Sequence, residues 1–193
     1  MKKIILSTVL STTFLTSAAF CEEKTSMYVG LDYQMRSNSL TFESSGISVS
    51  EKDDSKAFKL KFGTNSSENG WRLQGYLKRE IYDIPIFDNT HDTLIEFGFD
   101  VIKCFEVTPE FSPFLQVGLG YGFMNVDGYS QDIIKELNFK FGAGMMYKIS
   151  PAVEFLVGVD YQAKQWQDVE ILYYTVSTTE KSTQYYAGVN FHF

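Results

Sequence analysis

Chemistry-bearing residues are scarce in this chain. Its 193 residues include two cysteines, Cys21 and Cys104, and two histidines, His91 and His192. Neither type recurs at a spacing that makes a disulfide framework or a zinc ligand set. No GxSxG elbow, P-loop or HExxH run occurs. Cations are also short, 17 Lys and Arg against 24 Asp and Glu for a net charge of -7, which excludes a nucleic-acid partner. Past the first two dozen residues there is no run of roughly 18 apolar positions, so a transmembrane helix is excluded.

Aromatic residues are plentiful, at 16% with 12 Tyr and 17 Phe. Lys2 and Lys3 precede a modest apolar stretch, Ile4 to Leu15, and then Ala18-Ala19-Phe20-Cys21. This order reads as a cleavable secretory signal over 1–21, cut after Ala19 or Cys21. Phe20 is too bulky for a lipoprotein site directly before Cys21. Residues 22–193 then form one domain, with Cys104 as a small residue near a strand end.

That domain falls into stretches of period-two alternation, the mark of strands. Eight are expected: 26–36, 56–64, 71–81, 92–103, 113–124, 135–148, 152–163 and 183–193. The connections at 65–70, 104–112 and 149–151 are short and carry Asn69-Gly70, Pro109 and Pro151, which punctuate turns. Those at 37–55, 82–91, 125–134 and 164–182 are longer and more polar. Alternating short and long connections between such strands predict an all-β, antiparallel, up-and-down barrel.

Alternation alone does not say which face is inside, because a soluble lipocalin-like barrel alternates too. Glycines and charges decide it. Gly30, Gly63, Gly98, Gly118, Gly120, Gly122, Gly142, Gly144, Gly158 and Gly188 all share the polar phase. An eight-stranded barrel has a lumen barely wide enough for side chains, so small residues belong there, whereas on a solvent face they weaken strands. The run Gly118, Gly120, Gly122 is thereby lumen packing; it opens no helix and makes no nucleotide loop. The same phase holds Asp32, Lys59, Lys61, Arg72, Lys78, Glu96, Asp100, Lys140, Glu154 and Asp160. Five acids and five bases in a narrow lumen must pair. The apolar phase then faces lipid. Trp71, Tyr147 and Phe193 near one set of strand ends, and Tyr33, Tyr121, Tyr161 and Tyr185 near the other, read as two aromatic girdles.

The last ten residues, QYYAGVNFHF, alternate to the end and stop on an aromatic residue. With the signal, the eight amphipathic strands and the alternating connections, this ending resembles the small eight-stranded bacterial outer-membrane barrels, the opacity-protein and OmpA-like transmembrane group. The resemblance spans 26–193. It implies a cell outer-membrane location, lipid and lipopolysaccharide as surroundings, and Phe193 as the insertion signal read by the barrel-insertion machinery. It also implies a monomer without cofactor or metal. A peptidoglycan-binding domain is not expected.

Catalytic candidates are weak. His91 lies beside Asp92 and near Asp88, a pair that serves a general base in some enzymes and occurs by chance in polar loops. His192 falls in the lumen phase between two Phe and lacks the neighbouring Ser of lipid A deacylase-like barrels. Arg79 sits in the apolar phase, where it reaches lipopolysaccharide phosphates unless strand three stops short of it. Trp166 and VEILYYTV make 164–182 apolar for a loop, which fits an extended hairpin or a partner surface. The expected function is structural or surface-interacting, through the outer loops and without catalysis. A narrow porin or channel for small solutes is the alternative.

Overall fold

A computed structural model describes residues 25–193 apart from 67, 68, 89, 128, 130, 172 and 173. The export signal read over 1–21 lies outside the described residues. Alternation carries straight into the strands: β1 (Thr25–Ser44), β2 (Ile47–Ser66), β3 (Trp71–Tyr82), β4 (Thr93–Cys104), β5 (Phe111–Asn125), β6 (Ile133–Ser150), β7 (Val153–Trp166), β8 (Val169–Ile171) and β9 (Tyr174–His192). Neighbours in sequence pair antiparallel, β7 pairs with β9, and β9 returns to β1. This closes a ring of eight; β8 is a short strand that, among the described residues, pairs only with β9. Closure leaves no edge within the ring.

Both described chain ends and three short connections lie at one end, here the turn end. Pro151 and Ala152 alone link β6 to β7. At the opposite end the expected long loop over 37–55 is not a loop. β1 and β2 continue through it as a ribbon, paired from Tyr33↔Phe58 to Ser44↔Ile47. They turn at Ser45 and Gly46, whose φ angles of 49° and 83° make the two-residue turn that suits strand twist. Leu40-Thr-Phe42 and Ile47-Ser-Val49 alternate around that Ser-Gly, a hairpin signal in the sequence itself. The segment 164–182 is likewise an extended hairpin, with β7 reaching Trp166 and β9 starting at Tyr174.

The apolar phase faces outward. Leu31, Phe62, Leu77, Phe99, Leu119, Phe141, Val157 and Phe191 are each about half exposed around the ring. Gly75, the gap in this phase, is covered by the Phe62 ring, 2.9 Å from where its Cβ would stand.

Candidate functional site

The lumen holds the unusual chemistry of the molecule. Its inward positions alternate large and small across strands rather than along them. Asp32 pairs with Gly188, Asp100 with Gly118, Asp160 with Gly142 and Gly158 with Tyr186. A Cβ on Gly118, Gly142 or Gly188 would collide with the opposing carboxylate. Each such glycine is the space into which its partner folds.

All ten charges expected in the lumen are buried there. Near the turn end, Arg72 clamps Glu154 through two bonds of 2.7 and 2.9 Å. Asn190 donates to the same carboxylate at 2.8 Å, and His192 Nε2 stands 3.6 Å from it. At mid-height Lys61 meets Asp32 at 2.6 Å, and Asp100 lies between Lys59 at 2.7 Å and Lys140 at 2.8 Å. Both of these lysines also pack on the Tyr76 ring. Toward the ribbon end Lys78 bridges Glu96 at 2.5 Å and Glu80 at 3.1 Å. Asp160 departs from the pattern: the amides of Gln116 and Gln184 hold it at 2.6 and 2.8 Å, and no lysine or arginine stands within ion-pair distance among the described residues.

Five further buried charges, Arg36, Glu80, Glu136, Lys164 and Glu180, escape the sequence reading. Arg36, Glu80 and Glu136 share the polar phase inside the expected strands, whereas Lys164 and Glu180 lie beyond them. Glu80 receives Arg36, Lys78 and Lys164, and Lys164 also reaches Glu180 at 3.0 Å. Buried pairs of this kind gain little over an apolar core, but removing one partner strands a charge.

Apolar side chains pack beside the network toward both ends. Ile102, Cys104, Phe114, Met146, Leu156 and Tyr186 cluster at the turn end, with the Cys104 thiol 3.8 Å from Met146 sulfur. At the ribbon end Tyr82, Leu94, Met124, Val126, Ile134, Trp166 and Val169 form a cap, with Ile86, Phe87 and Tyr129 against it. Trp166 and Val169 thus turn inward and offer no apolar contact surface; Leu172 and Tyr173 lie outside the described residues. A void of about 10 Å³ lies in the lumen beside Lys59, Lys61 and Gln116, at the lower limit for one water.

The cap is pinned from above. Asp88 accepts the amides of Thr90, His91 and Asp127 at 2.6–2.7 Å and the His91 ring at 2.9 Å. Burial opposes the Asp88 charge, yet these donors hold its carboxyl well below the usual carboxylate range. The Asp88 hydrogen bond raises the His91 ring, and Asp127 and Asp92 add to it. Asp88 thereby ties the connection that carries His91 to the one that carries Asp127. His192, at the other end, packs its ring 5.4 Å from Tyr28.

The residues read as girdles all face outward and are exposed: Tyr33, Trp71, Tyr121, Tyr147, Tyr161, Tyr185 and Phe193. Trp71, Tyr147 and Phe193 lie at the turn end. Tyr33 and Tyr185 are mid-strand rather than at strand ends, because β1 and β9 run on past them to Ser44 and Tyr174. They mark where the outward row changes character, from Met35 to Ser37 in β1 and from Tyr185 to Thr183 in β9. β3 includes Arg79, which is exposed on the outer face. The alternative that the strand stops before it is thereby removed.

A family model, outer membrane protein beta-barrel domain, matches residues 7–193. No curated protein matches the chain in sequence. Among solved structures it is similar to Neisserial surface protein A, at 21% identity and TM-score 0.51, covering 89% of this chain and all of that one. The outer membrane protein OprG from Pseudomonas aeruginosa aligns over 89% and 97% of the two chains, at 10% identity and TM-score 0.55. AlkL, in lipid bilayers, aligns over 89% and 91% at 9% identity and TM-score 0.58. At these identities the likeness is one of fold.

Proposed function

Because the chain belongs to the outer-membrane β-barrel domain family, we propose that it works there as a closed, non-enzymatic barrel whose ribbon end acts at the cell surface. The observation that carries the reading is the filled lumen: paired charges packed with two apolar clusters, and a void of about 10 Å³ among them. A pore needs a continuous aqueous path, and an eight-stranded ring has no width for one once side chains fill it. In this reading residues 1–21 direct export, the turn end faces the periplasm and the barrel is a monomer.

The surroundings follow from the outer face. Lys56, Arg79, Lys135 and Lys181 stand outward toward the ribbon-end limit of the apolar rows of β2, β3, β6 and β9. Such a rim of cations suits the phosphates of lipopolysaccharide, with Arg79 able to bind bidentately. Phe193 exchanges two main-chain hydrogen bonds with Met27 across the closing seam, at 3.0 and 3.2 Å. As the insertion signal it matters before closure; deleting it lowers the amount of barrel in the outer membrane while the unfolding midpoint of assembled protein changes little. Normal membrane levels of the truncated chain would end that assignment.

Planar-bilayer conductance of the refolded barrel tests the closed reading. Silence is expected. Stable, reproducible current steps would replace it with the narrow channel.

A further inference from the structure

The ring has no edge, but the ribbon above it does. β2 pairs with β3 only from Ser55↔Tyr82 onward. Past that pair, Asp83 N–H donates to Asp54 O at 2.9 Å and Ile84 N–H reaches the Asp53 carboxylate at 3.5 Å. The chain then leaves for the cap, where Phe87 packs edge-on against Trp166. Residues 47–53 therefore pair with β1 on one side and, among the described residues, with no strand on the other.

Parity says which groups are open. In a two-residue hairpin the flanking residues, Ser44 and Ile47, exchange their hydrogen bonds. Odd residues of β2 thus bond to β1, and the N–H and C=O groups of Ser48, Ser50 and Lys52 point away. The bond from Asp83 N–H to Asp54 O obeys the same parity. An edge of this kind is a template for a further strand. Its side chains fit the role. Ile47 and Val49 are 70% and 53% exposed on the inward side, at the alternate positions an added strand covers.

Charge selects the occupant. Glu43, Glu51 and Asp54 are exposed and Asp53 half-buried around this edge. Lys52 lies among them, while Lys56 is engaged by Asp83 at 3.6 Å. Burial, with the Asp83 and Asp54 carboxylates behind it, pushes the Asp53 carboxyl up despite its amide donors, as expected where cations are short.

We propose that the open edge of β2 is a strand-addition site for an extended, basic segment of a partner protein, which bonds to the main chain of Ser48, Ser50 and Lys52 and lays alternate apolar side chains on Ile47 and Val49. The inference rests on the surface-interaction reading and names its partner chemistry.

Three synthetic peptides test it on the refolded barrel: alternating Lys-Val, alternating Glu-Val, and Lys-Val methylated on the amides of its pairing edge. Fluorescence anisotropy should show the Lys-Val peptide binding at least about tenfold more tightly than either control, the loss of one or two hydrogen bonds accounting for the methylated one. Amide exchange at Ser48, Ser50 and Lys52 should slow on binding. Ser50→Pro removes one open donor and should weaken binding about tenfold. Glu51→Gln with Asp53→Asn, which leaves the backbone alone, should also weaken it and flatten its salt dependence. Equal binding of the methylated peptide, or unprotected amides at these three residues, would overturn the proposal.

Cell adhesion separates this from the broader reading. If adhesion is lost on deleting the gene but kept with Ser50→Pro, the edge is wrong and the surface role stands. If deletion leaves adhesion unchanged, the surface role falls and the edge proposal with it.

Discussion

Two heights of one strand show opposite faces. At mid-barrel β6 turns Lys140 inward and Phe139 and Phe141 outward; a few residues nearer the ribbon end it turns Ile134 inward and Lys135 outward. β7 does the same, with Asp160 in and Tyr161 out, then Trp166 in and Gln165 out. β1 passes from Asp32 and Tyr33 to Leu40 and Thr41. Strand, pleat and register are continuous across the change. What differs is the medium outside. Lipid demands an apolar outer face and forces polar groups inward; above the rim water lies outside, and the wall becomes an ordinary half-buried sheet. The inversion locates the upper edge of the apolar belt better than any strand end does.

The comparison breaks hardest at the centre. Asp100→Ala leaves Lys59 and Lys140 buried against each other without a counter-charge, and should cost about 3–5 kcal/mol. Urea unfolding of the barrel in lipid vesicles measures it; a loss below about 1 kcal/mol would mean the lumen admits water freely.

The outer face offers a paired test. Phe139→Lys puts a cation on the belt and should cost about 2–4 kcal/mol near the midplane. Ser37→Lys, just past Met35 and paired with Asp54, should change stability by no more than about 0.5 kcal/mol. Similar costs at both sites, measured in the same vesicles, would erase the proposed belt edge.

The smallest effect is the staple over the cap. Asp88 is lowered, so its contribution is present above its unfolded value and lost as pH falls through the folded one. His91 is raised, so its contribution is full below its unfolded value and lost as pH rises through the folded one. Both act together between about pH 4 and 6.5. Protection of the Asp127 amide, corrected for intrinsic exchange, should peak in that window. His91→Gln should remove the decline on the alkaline side; an unchanged profile would show that the ring plays no part.

Much of the barrel was legible in the chain. Strand count, order and the outward face follow from period-two alternation, because pleat geometry ties phase to face. The ten lumen charges and the glycines shared one phase for the same reason. The extension of β1 and β2 was missed because above the belt Ser, Thr, Lys and Asp occupy both phases and blur the contrast. Ser45-Gly46 between Leu40-Thr-Phe42 and Ile47-Ser-Val49 was the signal that could have found it. Arg36 and Glu80 share the polar phase of 26–36 and 71–81 and were legible with the ten; Lys164 lies past the expected end of its strand and had no phase to read.

By itself, the sequence determined the architecture: an eight-stranded ring with an apolar exterior, small residues inside and a closing strand ending at Phe193. Local periodicity suffices for that, since each strand states its own phase. Only the tertiary structure decided which groups meet. Asp100 finds Lys59 and Lys140, Gly118 makes room for Asp100, and Trp166 packs with Leu94 and Phe87 through the register between strands far apart in sequence. Register comes from closing the ring, and closure is a property of all eight strands together.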